Sequence, residues 1–74
     1  MTNQEFIASK KKFGKNLRAI RKGKGLSLLD VSYNCNLDYS KISMIELGKV
    51  NLTLKTILEL ASGLEVKPME LFDF

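Results

Sequence analysis

The sequence contains no histidine and no tryptophan, and only one cysteine and one proline. Without histidine it lacks the side chain that most often serves as a general base or metal ligand near neutral pH. Cys35 alone can neither close an internal disulfide nor build a thiolate metal site. No catalytic residue, metal or cofactor is therefore expected: any nucleophile lacks a base beside it, and the glycines stand apart as helix stops instead of forming a phosphate-cradling loop. Long apolar runs are missing too. None approaches the roughly 18 residues that a spanning helix requires, and the opening MTNQEFIASKKK has no apolar stretch of the kind a secretory signal carries. Neither export nor membrane insertion is expected, and a lone thiol suits a reducing, cytoplasmic setting. Strand patterns, internal repeats and low-complexity linkers are absent as well, which leaves helices as the regular structure.

What is present fits one small helical domain. Seventy-four residues, 45% of them hydrophobic and 27% charged, make a globular mixture, but a domain this small buries only about 60% of the surface its unfolded chain exposes. It has no room for a second core, and pairing with another copy would add to a thin stability margin. The net charge of +4 conceals a division: between Lys10 and Lys49 ten cations face only Asp30, Asp38 and Glu46, a local net charge of +7. From Val50 onward, Lys55 and Lys67 oppose four acids. A basic half and an acidic half suit a protein that turns one face to a polyanion and the other to water or a protein partner; the plainer reading of a basic run is a solvated face.

Capping residues divide the chain. Residues 1–9 read as an arm or a helix extension that carries Phe6 and Ile7: Thr2 and Glu5 have capping-box spacing for a start at Asn3, while Ser9 is an equally good cap for a start near Lys10. In the domain proper, residues 10–74, Phe13, Leu17 and Ile20 form the inward stripe of a first helix that stops at Gly23-Lys24-Gly25. Ser27, with Asp30 three positions on, caps a second helix whose Val31 and Cys35 face inward. Asn36 is expected at a sharp, left-handed turn, with Leu37 filling the angle between helices. Asp38 caps a third helix that runs to about Leu47 and closes at Gly48. On it Ile42 and Ile45 point inward, and Ser40, Ser43, Met44 and Leu47 lie most nearly opposite, on a face without formal charge. Thr53 caps a fourth helix in which Leu54, Ile57, Leu58, Ala61 and Leu64 form a core stripe. Pro68 suits the first position of a short fifth helix, with Met69, Leu71 and Phe72 available to close the bundle.

Two short helices joined by a turn of about four residues have the size to place the second in a DNA major groove about 12 Å wide. The stretches FGKNLRAIRKGKGLS, VSYNCNLDYSKISMIELGK, LTLKTILELASGLEV and PMELF resemble the lambda repressor, 434 repressor and Cro family of helix-turn-helix proteins, the xenobiotic-response-element type. That resemblance implies an all-α domain of five helices, with helices 2 and 3 as the helix-turn-helix. It implies a sequence-specific transcriptional regulator, bacterial or phage-encoded, that binds double-stranded DNA as a homodimer on a palindromic operator, with helix 3 in the major groove. By position, Tyr39, Ser40 and Met44 would reach base edges, with Ser43 and Lys41 beside bases or backbone. Lys49 and Asn51 fall where the family grips phosphate, Arg18 and Lys22 would extend that grip, and Lys10 to Lys12 would join it or remain solvated. Arg21 and Glu46 match the family's structural ion pair between helices 1 and 3. Leu52, Leu54, Met69, Phe72 and Phe74 are candidates for the dimer contact.

The pattern also has departures. Helix 3 carries no Arg, Gln or Asn for the bidentate base pairs worth roughly 1–3 kcal/mol of discrimination each, so specificity would lean partly on DNA shape. Met44 also fits a dimer-packing or solvent-exposed methionine, and Ser40 a solvated serine. The family usually has Gln at Leu28; here only the backbone amide remains for a phosphate. Leu29 is apolar at a usually polar position, and with Leu28 it would cover Phe6 and Ile7 or meet a protein. The alternative function is an antitoxin or other protein-binding helical module, with a toxin as partner and DNA binding secondary.

Overall fold

A computed structural model describes residues 1–74. Every α-helix begins where a short polar side chain satisfies a free backbone N–H. In α1 (Asn3–Gly23) the Thr2 hydroxyl accepts from the Glu5 N–H, and the Glu5 carboxylate accepts from the Thr2 N–H, both at 3.1 Å. Residues 3–9 therefore form a helix extension capped by Thr2, and Ser9 lies inside the helix. The reciprocal cap satisfies two orphan donors where Ser9 would satisfy one. At 1.5 Å per residue α1 is about 31 Å long, which accounts for most of the molecule's 35 Å length.

The next three helices follow the same logic: α2 (Leu28–Tyr33) opens with a Ser27–Asp30 capping box, α3 (Tyr39–Glu46) with Asp38, and α4 (Leu54–Leu64) with Thr53. The expected fifth α-helix is instead a 3₁₀ helix, Pro68–Phe72, so the fold has four α-helices. A five-residue segment is too short to close many α-type bonds, and two of its carbonyls find another donor. The side-chain amide of Asn16 on α1 donates to the Glu70 and Leu71 carbonyls at 3.0 and 2.9 Å. The expected left-handed Asn36 is a second correction: Glu65, the C-cap of α4, is the non-glycine residue with positive φ, at 57°. Five residues separate α2 from α3, enough to turn without a left-handed step, and the Asn36 N–H is satisfied by the Glu59 carboxylate at 2.8 Å.

The core is formed by Phe13 and Leu17 of α1, Val31 of α2, Ile42 and Ile45 of α3, Leu60, Ala61 and Leu64 of α4, and Leu71. Cys35 and Leu37 pack against it from the turn. α4 is rotated from the expected stripe. Leu60 is fully buried, whereas Leu54 and Leu58 are 71% and 47% exposed. Because α4 carries apolar residues on more than one side, packing and not periodicity decides which side faces inward.

α1 and α3 meet at Gly14. A Cβ there would lie 2.6 Å from the Ile45 carbonyl oxygen and closer still to that of Glu46, whereas one at Gly23 would meet nothing within 4 Å. Backbone cannot yield as a flexible side chain can. Gly14→Ala is predicted to lower stability by about 1–3 kcal/mol or more, and Gly23→Ala to leave it unchanged or raise it by up to about 1 kcal/mol; paired urea melts check both.

Candidate nucleic-acid interface

The orientation of α3 is set from its inner side. The Arg21 guanidinium donates through Nε to Glu46 Oε2 at 2.7 Å and through Nη2 to Glu46 Oε1 at 3.0 Å, a bidentate pair whose side chains are 9% and 7% exposed. Its third hydrogen bond, 2.8 Å to the Leu26 carbonyl, ties the loop before α2 to the same side chain. Both carboxylate oxygens and the guanidinium fork are thus occupied, which is the condition for two charges to be held in a small core. The hydrogen bonds to Glu46 keep the Arg21 pKa above its already high ordinary value.

With Ile42, Ile45 and Glu46 turned inward, the outer side of α3 presents Tyr39, Ser40 and Met44 as exposed side chains, with Ser43 half-buried beside them. Leu47 extends this face and is 56% exposed. No carboxylate lies on it. Lys41 is exposed on the first turn, and its backbone N–H is already committed to Asp38 at 2.8 Å. Beyond Gly48, whose φ of +74° ends the helix, Lys49 and Asn51 are both exposed. Asn51 has a partner on α1: its side-chain oxygen accepts from Lys10 Nζ at 3.1 Å, which leaves its NH₂ free to donate. Lys10 also lies over the Phe6 ring, 4.8 Å from the centroid. Arg18 and Lys22 are exposed on α1, and Leu28 is half-buried against the core.

A cleft of about 430 Å³ lies between α1, the start of α2 and the end of α3, lined by Lys11, Lys15, Arg18, Arg21, Leu28, Ser43, Glu46 and Leu47. It adjoins the outer face of α3. The residues read as a dimer contact lie elsewhere: Leu54 and Met69 are 71% and 72% exposed, and Phe72 and Phe74 are exposed as well. Leu52 is half-buried against the core, and the Phe72 ring rests on Phe13 with centroids 5.1 Å apart. Leu58, which periodicity assigns to the core, is an exposed apolar residue one helical turn from Leu54. Its signal is the surplus of leucines on α4.

This geometry recurs in known proteins. A helix-turn-helix family model, HTH_3, matches residues 17–71. The chain belongs to the helix-turn-helix family. It is 36% identical over 63 residues to the control protein C.BamHI of Bacillus amyloliquefaciens, covering 84% of this chain and 78% of that protein. Its fold matches the crystal structure of the restriction-modification controller protein C.AhdI from Aeromonas hydrophila with a TM-score of 0.84 at 42% identity, over 88% of this chain and 98% of that one. An HTH_3 family transcriptional regulator from Vibrio cholerae matches with a TM-score of 0.85 at 28% identity, over 90% of this chain but 38% of that one. As a helix-turn-helix protein the chain is a DNA-binding transcription regulator, with α2 and α3 as the motif.

Within the motif Asp30 is the group whose titration is altered. Its carboxylate accepts the Ser27 N–H at 2.8 Å, and that bond, followed by one from the Ser27 hydroxyl, lowers its pKa below the ordinary 3.8. The unfolded state takes up this proton first, so the Asp30 contribution is complete above the unfolded value and disappears as pH falls through the lower folded value. Acid unfolding followed by circular dichroism should therefore be less steep below pH 3.8 in Asp30→Asn than in the parent. For the buried pair, Glu46→Ala is predicted to cost about 3–5 kcal/mol by leaving Arg21 unpaired, and an Arg21→Met/Glu46→Leu double variant to recover most of that loss in denaturant melts.

Proposed function

We infer that this regulator is a controller of restriction–modification genes that binds a palindromic operator as a homodimer. The observation that carries the reading is the 42% identity to C.AhdI over 98% of that controller's chain, supported by the identity to control protein C.BamHI. α3 enters the major groove of each half-site, and the two copies are centred about 34 Å apart, one turn of DNA. Tyr39, Ser40, Ser43 and Met44 contact bases: serine donates to or accepts from several base edges, and methionine and tyrosine meet the thymine methyl. Lys41, Lys49, Asn51, Arg18, Lys22 and the Leu28 backbone amide hold phosphates, which fix position and affinity without reading sequence. Leu54, Leu58, Met69, Phe72 and Phe74, with Leu52 behind them, form the contact between copies, on the acidic half and away from the DNA. The protein is a non-catalytic, cytoplasmic regulator in this reading. Neither controller relative is described as an antitoxin, and a toxin partner gains no support from them.

Selection from a random duplex pool at rising salt, followed by sequencing of the retained fraction, tests this reading. Salt-sensitive retention of a two-fold symmetric motif is expected, and no binding at low salt would overturn it. Lys49→Ala should weaken all sequences about equally, whereas Met44→Ala or Tyr39→Ala should change which are retained. Sedimentation should give twice the monomer mass at micromolar concentration; a strict monomer, even on DNA, would contradict the symmetric arrangement.

A further inference from the structure

We propose that the cleft beside α3 is a seat for the DNA backbone, in which Lys11 and Lys15 act with Arg18 as phosphate anchors on α1. This inference rests on the DNA-binding reading and adds Lys11 and Lys15 to the phosphate contact that the reading gives Arg18 on α1. Three observations carry it. First, at 100° per residue Lys11, Lys15 and Arg18 fall within about 60° of one another, so the three cations form one stripe of about 10 Å along the helix. Second, the Arg21–Glu46 pair is the sole salt bridge of the structure. Glu46, the single acid lining the cleft, has both oxygens taken by Arg21, so the other three cations have no carboxylate partner there.

Third, the cleft opens beside the surface that would read bases. Ser43 and Leu47 of α3 form one wall and Leu28 another. Gly14 lets the end of α3 sit directly on the α1 backbone, and Gly48 lies against Lys11, with its added Cβ only 2.9 Å from Lys11 Cγ. The cations are thereby held at the edge of the α3 outer face, where a strand bordering the occupied groove would run. Leu28 supplies no side-chain donor to that strand, so the α1 stripe provides the charge that this wall lacks. Its partner is the phosphodiester backbone, a regular line of negative charge spaced about 3.4 Å per strand. Phosphate neutralisation releases counterions, so each anchor contributes to the salt dependence of binding and not to sequence choice.

The test is a salt titration of operator binding with the parent protein, Lys11→Ala/Lys15→Ala, Lys11→Arg/Lys15→Arg and Lys12→Ala, on the duplex that the parent retains best. Lys12 is exposed but points about 90° from the stripe, and serves to separate a site from general charge. The double alanine variant should reduce the slope of log K against log salt by about 0.9 for each phosphate anchor removed, about 1.8 per protomer, with an unchanged sequence motif and unchanged melting. The double arginine variant should keep the slope, and Lys12→Ala should shift it less than removal of either anchor. An unaltered slope in the double alanine variant, or an equal loss per cation in Lys12→Ala, overturns the proposed seat while parent binding leaves the DNA reading standing. A parent that binds no duplex at low salt overturns both.

Discussion

The contact between α1 and α3 is the constraint on which the remainder of the structure depends. It has a steric part and an electrostatic part. Gly14 removes the Cβ that would keep the α3 carbonyls away, and the resulting approach lets Arg21 reach both oxygens of Glu46 while also holding the Leu26 carbonyl. One side chain on the long helix thus fixes the position of α3 and of the loop leading into α2. A domain with so few fully buried side chains cannot set that orientation by apolar packing alone, because such contacts are non-directional. A bidentate guanidinium–carboxylate pair is directional, and it defines which side of α3 is left facing outward.

From that placement the division of charge becomes a division of labour. The basic half of the chain folds into α1, α2 and α3, and Lys11, Lys15 and Arg18 line the cleft beside an uncharged, partly apolar α3 surface. The acidic half folds into α4 and the 3₁₀ helix, where Leu54, Leu58, Met69 and Phe72 stay exposed. The exposed apolar residues of the acidic half and the cation-lined cleft beside α3 lie on different elements, so the molecule carries two dissimilar surfaces. On the proposed reading, one face joins copies and the other joins DNA.

Much of the fold is legible in the sequence because its signals are local. Thr2 with Glu5, Ser27 with Asp30, Asp38 with the Lys41 amide and Thr53 with the Thr56 amide are all bonds across three residues, and such bonds depend little on the rest of the chain. The ion pair is legible through family resemblance and not through spacing, since its partners are 25 residues apart. What escapes a sequence reading depends on distant partners. The rotation of α4 cannot be read because leucines occupy several of its sides. The 3₁₀ geometry depends on Asn16, more than fifty positions earlier, and the turn at Asn36 depends on Glu59. Gly14 resembles any glycine within a helix until α3 is placed against it, and only then do Lys11 and Lys15 become walls of a cleft.

The central claim is that α3 lies in the major groove with its Tyr39–Met44 face on the bases, and chemical protection of guanine N7 on the selected operator tests it most directly. Guanine N7 lies in the major groove, so its alkylation reports access to that groove. Two protected clusters about one helical turn apart on one face of the DNA are expected, weakened by Met44→Ala while the flanking phosphate contacts persist. Full binding with every N7 still reactive would contradict it.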